Sequence, residues 1–399
     1  MPRTTKSTLT AAGLFAGIGG LELGLSRSGF QTKMICEIDP GAAAVLRHQF
    51  NIEVEPDVRK LRALPNVDVI AAGFPCQDLS QAGRTAGIVG NQSRLVGEIF
   101  KRLGARTRGP RWLLLENVPF MLQLQQGRAM RYLVDELERL GFTWAYRVVD
   151  TRAFGIPQRR KRVLLLASRI EDPRQPLFGS DTGGDLPEFS GDQLCGFYWT
   201  EGLRGLGWAV DAIPTLKGGS ACGIASPPAI WDPADGSLTT PHLDDAERLQ
   251  GFPEGWTLPV SDAPGVRRNH RWKLLGNAVS VPVAEWIGQR LVRPTGHLPA
   301  MSAIPGGASW PLAAWGSKGR AYAADVSSYP VMRRGRHLRE FLRHPRVPLS
   351  YRAASGFFNR ALNSSLRFED KFLEDVKRHI RRMAKVSPKS RRRGSEQSP

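Results

Sequence analysis

Residues 11–25 read Ala11-Ala12-Gly13-Leu14-Phe15-Ala16-Gly17-Ile18-Gly19-Gly20-Leu21-Glu22-Leu23-Gly24-Leu25, and this stretch decides the fold. A short apolar run (11–15) enters a glycine turn, and a helical pattern follows through Leu21, Leu25 and Phe30. Residues 33–37 form a second strand pattern that ends on an acid, Glu37. Together they spell a β-α-β unit of a parallel sheet. Outward from this unit, residues 67–72, 112–115 and 163–167 are apolar runs of strand length. Apolar residues spaced near 3.6 (Leu95, Ile99, Leu103; Met130, Leu133, Val134, Leu137, Leu140) predict helices beside them. The expected fold class is α/β, a doubly wound, Rossmann-like sheet.

The texture changes after Ser168 to Gly, Pro, Asp and Trp without clear period, and the α/β texture returns at Ala246. Residues 169–245 are therefore expected to be a smaller, loop-rich unit inserted into a domain made of 9–168 and 246–292. A helix entered through Pro282 closes that domain. Residues 293–330, with Pro294, Pro299, Pro305, Gly306, Gly307 and Pro311, read as a linker. Residues 331–399 read as a basic extension, with Phe368, Phe372, Val376 and Ile380 on one face of a helix and a disordered tail from Lys385.

With 399 residues, 41% hydrophobic and 23% charged, the chain has the makings of a folded core without disulfides. Its four cysteines, Cys36, Cys76, Cys195 and Cys222, are scattered and form no CxxC pair. No run reaches the ~18 apolar residues of a membrane span, and residues 1–10 lack a signal-peptide core, so a cytoplasmic location is expected. The net charge of +19 suits a polyanionic partner. Residues 331–399 alone hold 19 Lys and Arg against 6 Asp and Glu, a net of +13.

The glycine turn at residues 15–20 lets backbone amides approach a ligand at a helix N-terminus. Glu22 stands where a dinucleotide fingerprint has its third glycine, which disfavours an ordinary NAD site. Glu37 is placed to hold ribose hydroxyls and Asp57-Val58 to meet an adenine, so a nucleoside cofactor is expected. In Gly73-Phe74-Pro75-Cys76-Gln77-Asp78-Leu79-Ser80, Cys76 lies just past a strand end, where a lowered pKa would make it a nucleophile. Glu116 of Glu116-Asn117-Val118 ends another strand and would serve as an acid. On an extended segment Gln158, Arg160 and Arg162 point one way, and arginine forks suit a phosphate or carbonyl oxygen. A thiol, a carboxylic acid and cations beside a nucleoside pocket form a set for adding to an electron-poor ring, such as a nucleobase.

These stretches, with Glu247-Arg248-Leu249-Gln250-Gly251-Phe252-Pro253 and Gly276-Asn277-Ala278-Val279-Ser280, resemble in order and spacing the bacterial DNA cytosine-5 methyltransferases, over roughly residues 9–292. The resemblance implies S-adenosyl-methionine as cofactor and no metal. Phe15, Ala16, Gly17, Gly19, Gly20 and Leu21 would line the cofactor, Glu37 would bind its ribose and Asp57 and Val58 its adenine. Ile38 stands where several members carry an aromatic residue, and Pro75, Asn277 and Val279 would complete the pocket. Cys76 would attack carbon 6 of a flipped-out cytosine. Glu116 would protonate ring nitrogen 3, Arg160 hold the cytosine carbonyl oxygen, and Arg162 fix the thiolate and phosphate geometry.

Gln77, Ser80, Asn117, Gln158 and Thr215 would contact the substrate DNA. Residues 84–94 correspond to the family's mobile loop and 169–245 to its target-recognition region, where Thr215-Leu216-Lys217-Gly218-Gly219 resembles a recurring segment. The implied protein is a monomeric, nucleoid-associated cytoplasmic enzyme acting on double-stranded DNA, the modification partner of a restriction endonuclease. Two alternatives stand beside it: a transfer RNA cytosine-5 methyltransferase, and a cofactor-sensing DNA-binding regulator. The length of the insert favours DNA, and the intact set Cys76, Glu116, Arg160 and Arg162 favours an enzyme.

Overall fold

A computed structural model describes residues 8–75, 94–105, 109–184, 188–218, 226–267 and 269–386. Cys76, Gln77, Ser80, most of the 84–94 loop, Gly219, Cys222 and residues 387–399 lie outside the described residues.

Eight strands precede the insert: β1 (Thr10–Leu14), β2 (Gln31–Cys36), β3 (Val54–Glu55), β4 (Val69–Ala72), β5 (Trp112–Asn117), β6 (Thr143–Asp150), β7 (Gln158–Arg159) and β8 (Lys161–Ser168). The insert adds β9 (Cys195–Phe197), β10 (Ala209–Val210), β11 (Ile213–Pro214), β12 (Ala229–Asp232) and β13 (Ser237–Thr240). After it come β14 (Met301–Ala303), β15 (Ala313–Ser317), β16 (Arg320–Ala324) and β17 (Val347–Pro348).

The central sheet runs β14-β16-β15-β6-β8-β5-β4-β1-β2-β3. Neighbours from β5 to β3 pair in parallel. β8 lies antiparallel between β5 and β6, because the link from β6 to β8 is too short for a helical crossover. Period-2 alternation sends Ala12, Leu14, Ile70, Ala72, Leu113 and Leu115 to one face, under the helices Arg94–Gly104 and Arg128–Arg139. Ala11, Val69, Ala71 and Leu114 face the helices Gly20–Arg27 and Val281–Val292 on the other.

Register fixes the site. Leu14 is level with Cys36 on one side and Ala72 on the other, and Ala72 with Leu115. One residue further on, Glu37, Phe15, Gly73 and Glu116 stand in a row along the carboxyl edge. The chain order reverses between β1 and β4, which is where an open α/β sheet leaves its ligand crevice.

The expected linker is corrected by three strands. β15 pairs with β6, and β16 lies between β15 and β14. Lys318 and Gly319 both take positive φ (52° and 74°) between the paired Ser317 and Arg320, the geometry of a two-residue hairpin turn. Trp310 is buried edge-on to Trp144 and Tyr146. The prolines and glycines of this stretch punctuate a sheet edge.

The basic extension is likewise not separate from the insert. A second sheet, β10-β9-β12-β13-β17, takes its last strand from Val347–Pro348. Phe357, Phe372 and Val376, on the helices Tyr351–Leu362 and Asp370–Val386, share one core with Phe197, Trp231 and Leu238. That helix runs through Lys385 to Val386, past the expected start of a disordered tail.

Candidate active site

The turn after β1 bends through Phe15 (φ 54°), Gly17 (φ 56°) and Gly19 (φ 85°). Phe15 is strained there, while Gly17 has only open space where a side chain would stand. The Gly17 N–H donates to Glu37 Oε2 and the Asp39 N–H to Glu37 Oε1, both at 2.7 Å. Burial raises the Glu37 carboxyl against those two donors. Trp256 Nε1 donates to the Ile18 carbonyl at 2.8 Å and braces the turn from behind. Asp57 caps Val58–Lys60 and is held below the usual carboxylate range by Arg59, 2.7 Å away. Val58 is buried and Ile38 is 66% exposed beside Glu37. Open space over Gly17, an acid at the end of β2 and an exposed apolar side chain next to it fit a nucleoside cofactor.

Glu116 is the penultimate residue of β5, buried, with Arg162 Nε 2.9 Å from its Oε1. Burial raises its carboxyl, opposed by Arg162 and Arg160. A Cβ on Gly73 would sit 3.6 Å from Glu116 Oε2, 3.7 Å from Val279 Cγ2 and 3.8 Å from the Phe15 carbonyl oxygen. The segment leading to Cys76 thus departs from beside the acid and the glycine turn. Asn117 fixes that departure, donating from Nδ2 to the Phe74 carbonyl at 3.2 Å and accepting the Val118 N–H at 2.8 Å.

Two expected contacts are corrected. Gln158 is 0% exposed and cannot meet DNA, since its amide donates to Leu249 and accepts the Leu216 N–H. Arg160, expected at the cytosine oxygen, is buried and donates to the carbonyls of Leu216, Gly276 and Ala278. It ties the segment after Thr215 to the turn carrying Asn277 and Val279. Burial, then the neighbouring Arg162, pulls its pKa well down. Arg162 is therefore the arginine at the acid. Thr215 spends its hydroxyl on the Arg159 carbonyl at 2.8 Å.

Two residues were given no role by the sequence reading. Glu247, fully buried, accepts the N–H groups of Trp256 and Thr257 and pairs with Arg271 at 3.0 Å. Asp39 caps the helix Pro40–Phe50 and pairs with His270 at 2.8 Å. The Asp39-Pro40 sequence, a cap residue before a first-turn proline, was its available signal.

Glu22 is 2% exposed against Gly13 of β1, with neither carboxylate oxygen hydrogen-bonded. Burial, reinforced by Glu37, pushes it up to about 8 from 4.5. The folded chain keeps this proton to a higher pH than the unfolded chain does. Stability should therefore fall as pH rises from about 4.5 to about 8, by up to about 1.4 kcal/mol per unit. Urea unfolding at pH 6 and pH 8.5 is expected to show a shallower loss in Glu22→Gln. Equal losses would take Glu22 out of the pH response.

Solved structures show the fold. The Dnmt2 methyltransferase of S. pombe aligns with a TM-score of 0.51 over 72% of this chain and 99% of its own, at 16% identity. EhMeth of Entamoeba histolytica gives 0.50 over 72% and 98%, at 15% identity. The fold is that of the Rossmann-like methyltransferases. The family described as C-5 cytosine-specific DNA methylase matches residues 9–183 and 241–293, and the chain belongs to it, a DNA cytosine-5 methyltransferase. The Type II methyltransferase M2.BsuMI of Bacillus subtilis (strain 168) is 46% identical over 377 residues, 92% of this chain and 96% of that protein. M.BsuFI of Bacillus subtilis is 33% identical over 305 residues, 69% of this chain and 70% of that protein. Likeness to M2.BsuMI runs well past residue 293, into the segment that completes the second sheet.

Proposed function

We propose that this chain methylates carbon 5 of one cytosine in a specific duplex sequence, through a covalent bond from Cys76 to carbon 6. The observation that carries the reading is the buried Glu116–Arg162 pair beside Gly73, three residues before Cys76. A carboxyl raised by burial keeps a proton to give to ring nitrogen 3 as the thiolate adds to carbon 6. Addition moves the ring's electron pair toward carbon 5. S-adenosyl-methionine, held by the glycine turn, Glu37, Asp57 and Ile38, supplies the electrophilic methyl group. Loss of the carbon 5 proton to water then expels the Cys76 sulfur as thiolate, the nitrogen 3 proton returns to Glu116, and the aromatic ring is restored. Arg162 orients Glu116, and Asn117 sets the path of the chain toward Cys76.

The target cytosine has to leave the helix stack for carbon 6 to be reached. The insert together with the C-terminal segment would read the surrounding bases. Likeness to Type II methyltransferases supports a companion restriction endonuclease at the same site. In this reading the chain works as a monomer on nucleoid DNA in the cytoplasm. No helix among the described residues is long and apolar enough to cross a membrane.

Methyl transfer from labelled S-adenosyl-methionine to duplex DNA and to transfer RNA tests the reading. Label is expected on cytosine carbon 5 of DNA, with Glu116→Gln slower by about 10²–10⁴-fold. Label on RNA would reassign the substrate, and an undiminished Glu116→Gln rate would remove Glu116 as the acid.

A further inference from the structure

Among the described residues, His242, Asp244 and His344 form one group of metal-ligating side chains. One ring nitrogen or carboxylate oxygen from each lies within 4.8 Å of the others. None of the three belongs to the cofactor or cytosine site. His242 Nδ1 stands 3.5 Å from Asp244 Oδ2 and accepts the Asp244 N–H at 3.3 Å, a cap bond that an ion on Nδ1 would replace. Two ligands on a tetrahedral zinc ion, with bonds of about 2.0–2.2 Å, stand about 3.4 Å apart. The imidazoles of His242 and His344 stack at 5.0 Å between centroids and 28° between planes. His344 Nε2 is buried without a hydrogen-bond partner, with Glu254 Oε2 at 3.5 Å.

The backbone at His344 is fixed independently of these three side chains. Asp245, fully buried, accepts the backbone N–H groups of Arg343 and His344, both at 3.0 Å. Arg248 joins the Asp245 carboxylate to the Phe341 carbonyl, each at 2.7 Å. His344 is thus held against the start of the helix Leu243–Leu249 by contacts that a ligand would not disturb. Four carboxylates (Asp244, Asp245, Glu247, Glu254) stand against the guanidiniums of Arg248, Arg271 and Arg343 around this turn, so a dication would meet no excess of positive charge.

We propose that His242, Asp244 and His344 bind one divalent transition ion of the zinc class, with Glu254 or water as fourth ligand. Two imidazoles and a carboxylate suit such an ion. The ion clasps the C-terminal segment, which completes the second sheet, to the catalytic fold.

The full-length chain, stripped with a chelator, is titrated with Co2+ and separately dialysed against Zn2+. One ion per chain is expected, with the visible bands of tetrahedral Co2+ and a melting temperature raised by several degrees on Zn2+ binding. His344→Gln and Asp244→Asn should each bind at least about tenfold more weakly and lose the thermal shift while still transferring methyl groups. His242 is left intact because it caps its helix. Absence of stoichiometric uptake at micromolar metal would overturn the site, as would equal uptake by wild type and by whichever variant retains methyl transfer.

Discussion

Cys76→Ser is expected to bind S-adenosyl-methionine as the wild type does and to lose methyl transfer by at least about three orders of magnitude. The two halves of that outcome come from different places in the chain. The groups suited to the cofactor end β1 and β2 and follow β3: the turn through Gly17, the Glu37 carboxylate and Asp57. The segment bearing position 76 leaves β4, beside Glu116. Serine keeps the size of the side chain but replaces a group that ionises near neutral pH in a cationic setting with one that does not.

Neither described thiol, Cys36 or Cys195, can substitute. Burial, then the neighbouring Glu37, pushes Cys36 up to about 12, and burial does the same to Cys195. Both are inert at neutral pH, so an alkylating reagent that inactivates the wild type should leave them untouched. Cofactor binding by equilibrium dialysis and label transfer to duplex DNA check both halves. A serine variant within tenfold of the wild-type rate would remove Cys76 as the nucleophile.

What the sequence made legible was the carboxyl edge of the sheet. Local pattern ends the strands at Phe15, Glu37, Ala72 and Leu115, each within two residues of the end in the structure, and parallel pairing puts those ends in line. That is enough to bring Phe15, Glu37, Gly73 and Glu116 together. Side-chain partners were not legible in the same way. Alternation correctly puts Gln158 and Arg160 on one side, but what fills that side comes from loops around Leu216, Leu249 and Gly276, distant in sequence. A residue pattern gives direction along a strand, whereas burial of a guanidinium among three carbonyls depends on which loops arrive there. Residues 293–330 misled for a related reason. Proline and glycine mark turns between strands as readily as they mark linkers, and only the pairing of β15 with β6 separates the two.

Charge counting misled most about residues 331–399, and a truncation after residue 336 should expose the error. A peripheral basic tail would leave a folded enzyme whose DNA binding weakens mainly at higher salt. The structure instead predicts loss of a cooperatively folded unit at every salt concentration. Phe357, Phe372 and Val376 are at most 1% exposed, packed on Phe197, Trp231 and Leu238. Truncating one such phenylalanine to alanine costs about 3–5 kcal/mol, a large part of an ordinary domain's stability.

The polar contacts point inward as well. Trp231 Nε1 donates to Asp375 at 3.0 Å, Arg339 and Arg346 pair with the buried Asp232 at 2.7 and 3.1 Å, and Arg360 donates to the Trp199 and Glu201 carbonyls. Cutting the segment away leaves Asp232 as an unpaired buried carboxylate and the edge of β13 open. The truncated chain is expected to bind a hydrophobic dye, to aggregate and to methylate no DNA even at low salt. Phe372→Ala, in the full chain, should unfold at lower urea by about 3–5 kcal/mol with the segment still present. A soluble truncation that still methylates one specific site at low salt would show that the insert folds and reads DNA without these residues.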